Sequence, residues 1–234
     1  MNPAERLIVA LDLPDPQKAR ILADRLSDTG AAYKIGLQLF LAGGPSFVAE
    51  MASRYRIFLD LKFHDIPSTV AAAVKAAASL GVWMVNVHAA GGRKMMVAAR
   101  EALANYNAKP LLLAVTVLTS LNESQLSELG FWEGAEKRVR LLSTLAAESG
   151  LDGVICSPRE IEAVKEAGGS GFLTVTPGVR PAGSDINDQS RVATPLEVIQ
   201  AGGDYLVVGR PIRASEDPYA EARKIIDEIG GRIK

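Results

Sequence analysis

Lysines and aspartates stand at the ends of otherwise apolar runs in this chain, at spacings that could move a proton. The densest set is Asp60-Leu61-Lys62-Phe63-His64-Asp65, which closes the run Ile57-Phe58-Leu59. Side chains alternate along an extended strand, so residues 60 and 62 share one face. A carboxylate or ammonium buried alone costs roughly several kcal/mol even after relaxation, so opposite charges on one strand face must meet each other or a ligand. Asp12 follows Leu7-Ile8-Val9-Ala10-Leu11, and Lys34 interrupts Ala32-Tyr33-Lys34-Ile35. An array of Lys34, Asp60, Lys62 and Asp65 would keep its lysines protonated through neighbouring carboxylates. That gives a proton donor beside a fixed negative charge.

Plainer roles compete for some of these residues. Asp12 could cap the helix expected near Pro16, and Asp65, directly before Ile66-Pro67-Ser68-Thr69, could cap the next one. Lys34 alone could be a surface lysine with a buried stem. The Asp60/Lys62 pair is harder to explain away, because two opposite charges on one apolar strand face need a reason. His64 and His88 are the only histidines, and neither has a second histidine at metal-ligand spacing. No metal site is therefore expected. Cys156 ends Val154-Ile155-Cys156 and reads as a small buried residue. The chain has no GxGxxG, Walker loop or nucleophile elbow, so dinucleotide binding, NTP hydrolysis and serine-esterase chemistry lose their usual support.

A second set of residues suits an anion. Thr176-Pro177-Gly178-Val179-Arg180-Pro181-Ala182-Gly183-Ser184 offers glycines for close backbone approach and an arginine for charge, and Val207-Val208-Gly209-Arg210-Pro211-Ile212 offers another Gly-Arg pair. If these follow the seventh and eighth strands of a barrel, they form the usual phosphate site of that fold. Arg210 can then add a two-pronged contact.

The elements that must position these groups follow from periodicity. Short apolar runs recur about every 25 to 30 residues, each followed by a polar turn and an Ala-rich amphipathic stretch. Candidate strands are 7–11, 32–35, 57–61, 84–87, 111–117, 153–156, 173–176 and 205–208. Helical stretches include 16–26, 67–80, 137–149, 158–166 and 196–200, with Pro14, Pro67 and Pro158 near starts and Gly30, Gly81 and Gly150 near ends. Continuous apolar strands alternating with helices imply a parallel sheet covered on both faces, either doubly wound or closed. The count of eight favours a (β/α)8 TIM barrel. With 234 residues and no composition shift or linker, residues 1–234 are expected to form one domain.

Composition narrows the partners. Lysine and arginine number 26 against 27 acidic residues, so no basic stripe argues for nucleic acid or a membrane surface. A small-molecule substrate fits better. One cysteine permits no disulfide within the chain. Neither a secretion signal nor the roughly 18 uninterrupted apolar residues of a membrane span is found. These features together predict a cytoplasmic protein.

The segment Asp60-Leu61-Lys62-Phe63-His64-Asp65-Ile66-Pro67 closely resembles the orotidine 5′-monophosphate decarboxylase family of bacterial type, over almost the whole chain. Ala10-Leu11-Asp12, Lys34-Ile35-Gly36, Val115-Thr116-Val117-Leu118-Thr119-Ser120, Val175-Thr176-Pro177-Gly178-Val179-Arg180-Pro181 and Val208-Gly209-Arg210-Pro211 follow in the family's order. Ser68 stands where the family often has Asn. The resemblance implies conversion of orotidine 5′-monophosphate to UMP and CO2 by a homodimer without metal or organic cofactor. It also implies roles for particular residues. Asp12 and Lys34 would bind the ribose hydroxyls, Asp60 would lie against the substrate carboxylate, and Lys62 would protonate pyrimidine C6. Asp65, Ile66 and Thr69 would reach the neighbouring subunit's site. Thr119 would contact the pyrimidine edge, and Gln189, Arg210 and the Gly209 backbone would hold the phosphate, with Arg180 on the same closing loop.

Two rivals are weaker. The Mg2+-dependent group of 3-keto-L-gulonate 6-phosphate decarboxylase and hexulose phosphate synthase shares the Asp-x-Lys-x-x-Asp motif. Its members resemble one another in an acidic metal ligand at the end of strand 2, where this chain has Lys34. A non-catalytic nucleotide-binding barrel would have no need of the complete charged set.

Overall fold

Eight parallel strands close into a barrel in sequential order. They are β1 (Leu7–Ala10), β2 (Ala32–Gly36), β3 (Ile57–Phe63), β4 (Met84–His88), β5 (Leu111–Val115), β6 (Gly153–Ile155), β7 (Leu173–Thr176) and β8 (Tyr205–Val208). The computed structural model describes residues 1–181 and 193–231. Pairing of β1 with β8, Ile8 opposite Val207, seals the ring. The (β/α)8 barrel expected from periodicity is thus present, with the predicted strands shifted only at their ends. β1 stops at Ala10, β5 stops at Val115, and β3 runs on to Phe63.

Each strand is apolar on both faces because it serves two cores. Ile8, Ala10, Ala32, Phe58, Met84, Leu113, Val115, Val175 and Val207 pack together inside the barrel. Leu7, Val9, Tyr33, Ile35, Ile57, Leu59 and Val85 pack outward against the helices. This parity decides which polar residues enter the barrel mouth. Asp12 continues the inward series 8, 10, Lys34 continues 32, and Asp60 continues 58.

The helices form for ordinary reasons. Pro16–Leu26 starts with Pro16 in the first turn and Asp15, whose carboxylate accepts from the Gln17 N–H at 2.8 Å. It buries Ala19, Leu22, Ala23 and Leu26 at helical spacing, each leucine contributing about 2 kcal/mol relative to exposure. The cap is therefore Asp15, which leaves Asp12 free for the barrel mouth. The helix expected over 158–166 divides into a short 3-10 turn, Pro158–Glu160, and a helix Ile161–Gly168. Pro67–Ser79 begins on its proline as expected, and the helix expected over 196–200 starts one residue earlier, on Pro195. The helix expected over 137–149 spans Ala135–Glu148, and helices over Leu37–Arg54, Gly92–Glu101 and Pro218–Ile229 add to the outer layer.

Candidate active site

The carboxyl ends of the strands surround a cavity of about 400 Å3. Asp12, Lys34, Asp60 and Lys62 line it from the ends of β1 to β3, and Pro177, Gly178, Arg180, Gly209, Arg210 and Arg213 line it from the ends of β7 and β8. Thr119 borders it from the segment after β5. Apolar strand residues such as Phe58, Val115 and Val207 form the floor.

Asp60 is the hub of the charged side. It is only 8% exposed. Its Oδ1 accepts from Lys62 Nζ at 2.6 Å and from Asn86 Nδ2 at 2.7 Å, and its Oδ2 lies 3.5 Å from Lys34 Nζ. Lys34 in turn donates to Asp12 Oδ1 at 2.9 Å. Charge therefore alternates from Asp12 through Lys34 and Asp60 to Lys62, each cation touching at least one carboxylate. Burial pushes the Asp60 carboxyl up. The Lys34 and Lys62 charges and the hydrogen bonds from Lys62 and Asn86 outweigh it and hold the group below the usual aspartate range. It is a fixed anion at neutral pH. Gly36 leaves room for this array, because a Cβ there would stand 3.3 Å from Lys34 Nζ and 3.4 Å from Asp12 Oδ1.

Asp60 and Lys62 meet at the cavity as strand alternation predicts, but the strand between them is irregular. Register between β3 and β4 shifts between Leu59 and Phe63, and Lys62 has φ +52, the sole positive φ among the described non-glycine residues. A left-handed lysine costs roughly 1–3 kcal/mol and persists only when its surroundings over-determine it. Here the Lys62 N–H donates to Asn86 Oδ1 at 2.8 Å. Asn86 is fully buried and contributes both to this bond and to Asp60. It escaped the sequence reading. Its signal was parity, since Asn86 follows inward-facing Met84 on β4 as Asp60 follows Phe58. His88, next in that series, packs its ring 5.4 Å from His64. Burial, then the neighbouring His64 and Lys62, hold its imidazole below the usual histidine range.

Asp65, Ile66 and Thr69 do not join this cavity. All three are exposed, Ile66 at 64%. Asp65 accepts from the Ile66 N–H at 2.6 Å, while no side chain caps the helix that Pro67 begins. Within one chain, the array expected from sequence as Lys34, Asp60, Lys62 and Asp65 is instead Asp12, Lys34, Asp60 and Lys62, with Asp65 outside it. Cys156 is fully buried, and burial pushes its thiol up, away from reactivity.

Beside Asp12 at the mouth, Gly209 precedes the short helix Arg210–Arg213, so Arg210 and Arg213 enter the cavity wall together. A Cβ on Gly209 would meet Ala10 Cβ at 3.3 Å, which explains the small residue where β8 passes β1. Arg213 was not singled out from sequence. Its Nε is buried without a hydrogen-bond partner among the described residues. Arg180 holds the Val179 carbonyl at 3.1 Å through one guanidinium nitrogen. Gln189 lies outside the described residues. No group of three or more His, Cys, Asp or Glu side chains is placed to hold a metal ion among the described residues. None of the described helices is long and apolar enough to cross a membrane.

Fold and site together define a barrel enzyme whose charged groups converge at the carboxyl ends of its strands. The chain belongs to the orotidine 5′-phosphate decarboxylase / HUMPS family, whose model matches residues 5–225. It is 51% identical over 225 residues to an orotidine 5′-phosphate decarboxylase of Teredinibacter turnerae, covering 96% of this chain and 97% of the relative. A Halorhodospira halophila protein of the same name is 52% identical, over 96% of this chain and 95% of its own. The crystal structure of orotidine 5′-phosphate decarboxylase from Lactobacillus acidophilus superposes with a TM-score of 0.84 at 38% identity, over 96% of this chain and 99% of that one.

Proposed function

We propose that this protein is a carboxy-lyase that converts orotidine 5′-monophosphate to UMP and CO2 in pyrimidine biosynthesis. The observation that carries the reading is the Lys34–Asp60–Lys62 array, with contacts of 3.5 Å and 2.6 Å, facing a cavity that Arg180, Arg210 and Arg213 also line. In this reading the phosphate lies toward Gly209, Arg210, Arg180 and Gln189, the ribose hydroxyls meet Asp12 and Lys34, and Thr119 meets the pyrimidine edge. The substrate carboxylate then lies against Asp60. As the C6–carboxylate bond breaks, its electron pair stays on C6 and CO2 leaves. The Lys62 ammonium stabilises the developing carbanion and transfers a proton to C6, and water restores the lysine. Metal and organic cofactors have no part in this scheme.

Asp65, Ile66 and Thr69 serve the neighbouring subunit of a homodimer in this reading. Support comes from their exposure beside, rather than within, their own cavity. Residues 1–234 act as one catalytic domain, in the cytoplasm. The Mg2+-dependent reading gains nothing from the site, because Lys34 brings an ammonium between Asp12 and Asp60.

The test is UMP formation from orotidine 5′-monophosphate in EDTA, comparing wild type with Lys62→Ala. An inactive wild type would refute the reading, and a fully active variant would refute the role of Lys62. Mixing Lys62→Ala with Asp65→Ala protomers tests the shared site. Hybrid dimers should regain activity, and no recovery counts against the sharing.

A further inference from the structure

We infer that Asn86 is a positioning residue for decarboxylation, holding both the Asp60 carboxylate and the backbone from which Lys62 delivers its proton. The inference rests on the decarboxylase reading of the site. Three hydrogen bonds make a closed circuit. Lys62 Nζ donates to Asp60 Oδ1, Asn86 Nδ2 donates to the same oxygen, and Asn86 Oδ1 accepts the Lys62 N–H. A peptide N–H can only donate and an ionised carboxylate can only accept, so one orientation of the Asn86 amide satisfies both neighbours. No other neutral side chain of this length offers a donor and an acceptor at the two required points.

The circuit also accounts for the backbone. Lys62 adopts φ +52 where the strand register shifts, and Asn86 binds its N–H from the adjacent strand. The same side chain thereby fixes the anion, the position from which the ammonium extends and the 2.6 Å contact between them. Asn86 lies beneath the cavity rather than among its lining residues, so it acts through Asp60 and Lys62.

Two substitutions separate positioning from packing. Asn86→Ala removes donor and acceptor, and is expected to lower kcat about 100-fold, the scale of a catalytic group misplaced by an ångström. KM and the affinity for UMP should change less than about threefold, because the ribose and phosphate contacts lie elsewhere. Asn86→Asp keeps the shape but sets a carboxylate against Asp60. Near neutral pH it should be at least as impaired as Asn86→Ala. On acidification the new carboxyl becomes protonated, donates to Asp60 and still accepts from the Lys62 N–H. The kcat ratio of Asn86→Asp to Asn86→Ala should therefore rise as pH falls. Parallel pH profiles, unchanged kcat in Asn86→Ala, or equal losses in kcat and UMP affinity would each overturn the inference. Failure of Asn86→Ala to fold leaves the Asn86→Asp profile against wild type as the deciding measurement, and failure of both to fold assigns Asn86 to the core and also overturns it. A wild type that makes no UMP is a separate outcome, which removes the decarboxylase reading itself.

Discussion

The two ends of the barrel use the same residue types to opposite effect. Ahead of β8, Asp204 accepts from Lys165 Nζ at 2.6 Å, the Thr174 N–H at 2.8 Å and the Thr174 hydroxyl at 3.2 Å. Lys165 also donates to the Phe172 carbonyl at 2.9 Å. Ahead of β6, Asp152 accepts from Arg100 at 2.6 Å and from the Leu112 N–H at 2.7 Å, while Arg100 holds the Gly150 carbonyl. These sets tie neighbouring strands together and spend their charge on backbone. At the carboxyl ends, the ammonium groups of Lys34 and Lys62 pair, among the described residues, with carboxylates alone, and the pairs face a cavity. Backbone partners make an ion pair a fastener. Without them the charge stays available to a ligand.

That contrast can be broken by exchanging the losses. Lys62→Ala should cut kcat by at least about 1,000-fold, as the loss of a general acid that also stabilises charge, and should shift unfolding by less than about 1 kcal/mol. Lys165→Ala should leave kcat within about twofold of wild type while lowering stability. Steady-state kinetics and denaturant unfolding on the two proteins decide it. Loss of kcat in Lys165→Ala matching that in Lys62→Ala would erase the distinction.

A smaller effect is expected at the arginine side of the cavity. Arg210→Ala should raise KM roughly 10- to 100-fold, the scale of a lost charge-assisted pair, and free inorganic phosphate should inhibit the variant less than the wild type. Unchanged KM would move the phosphate elsewhere. At the amino end, Asp204→Ala strips the Thr174 N–H of its acceptor and should cost about 3 kcal/mol in unfolding free energy, with kcat retained. A neutral result would show that the fastener is decorative.

The smallest expected effect is in pH dependence. His88 has a folded pKa below its ordinary value of 6.5, so the unfolded chain binds the proton more readily. Its neutral form is compatible with full stability above that value, and stability is lost as pH falls below it. Asp60, with a depressed carboxyl, contributes stability that is complete above the ordinary aspartate value of 3.8 and is lost only as pH falls through its own lower one. The two windows are separate. His88→Gln should shrink the difference in unfolding free energy between about pH 7.5 and about pH 5.5. An identical difference in wild type and variant would remove His88 from the acid response.

By itself, the sequence determined the barrel and the identity of most charged groups at its mouth. Eight apolar runs separated by helices leave few ways to bury both strand faces, and Asp60, Lys62, Lys34 and Asp12 stand out because charge at the end of an apolar strand is costly unless used. The distribution of those charges was decided only in three dimensions. Asp15 rather than Asp12 caps the first long helix, and Asp65 remains outside the array that its spacing suggested. Asn86, uncharged and embedded in Met84-Val85-Asn86-Val87, carries no local signal stronger than parity. Its importance arises because the closed barrel sets β4 beside β3, bringing one amide within hydrogen-bond reach of Asp60 and the Lys62 backbone. Strand pairing joins residues 24 and 26 positions apart, and such a contact exists only once the sheet has formed.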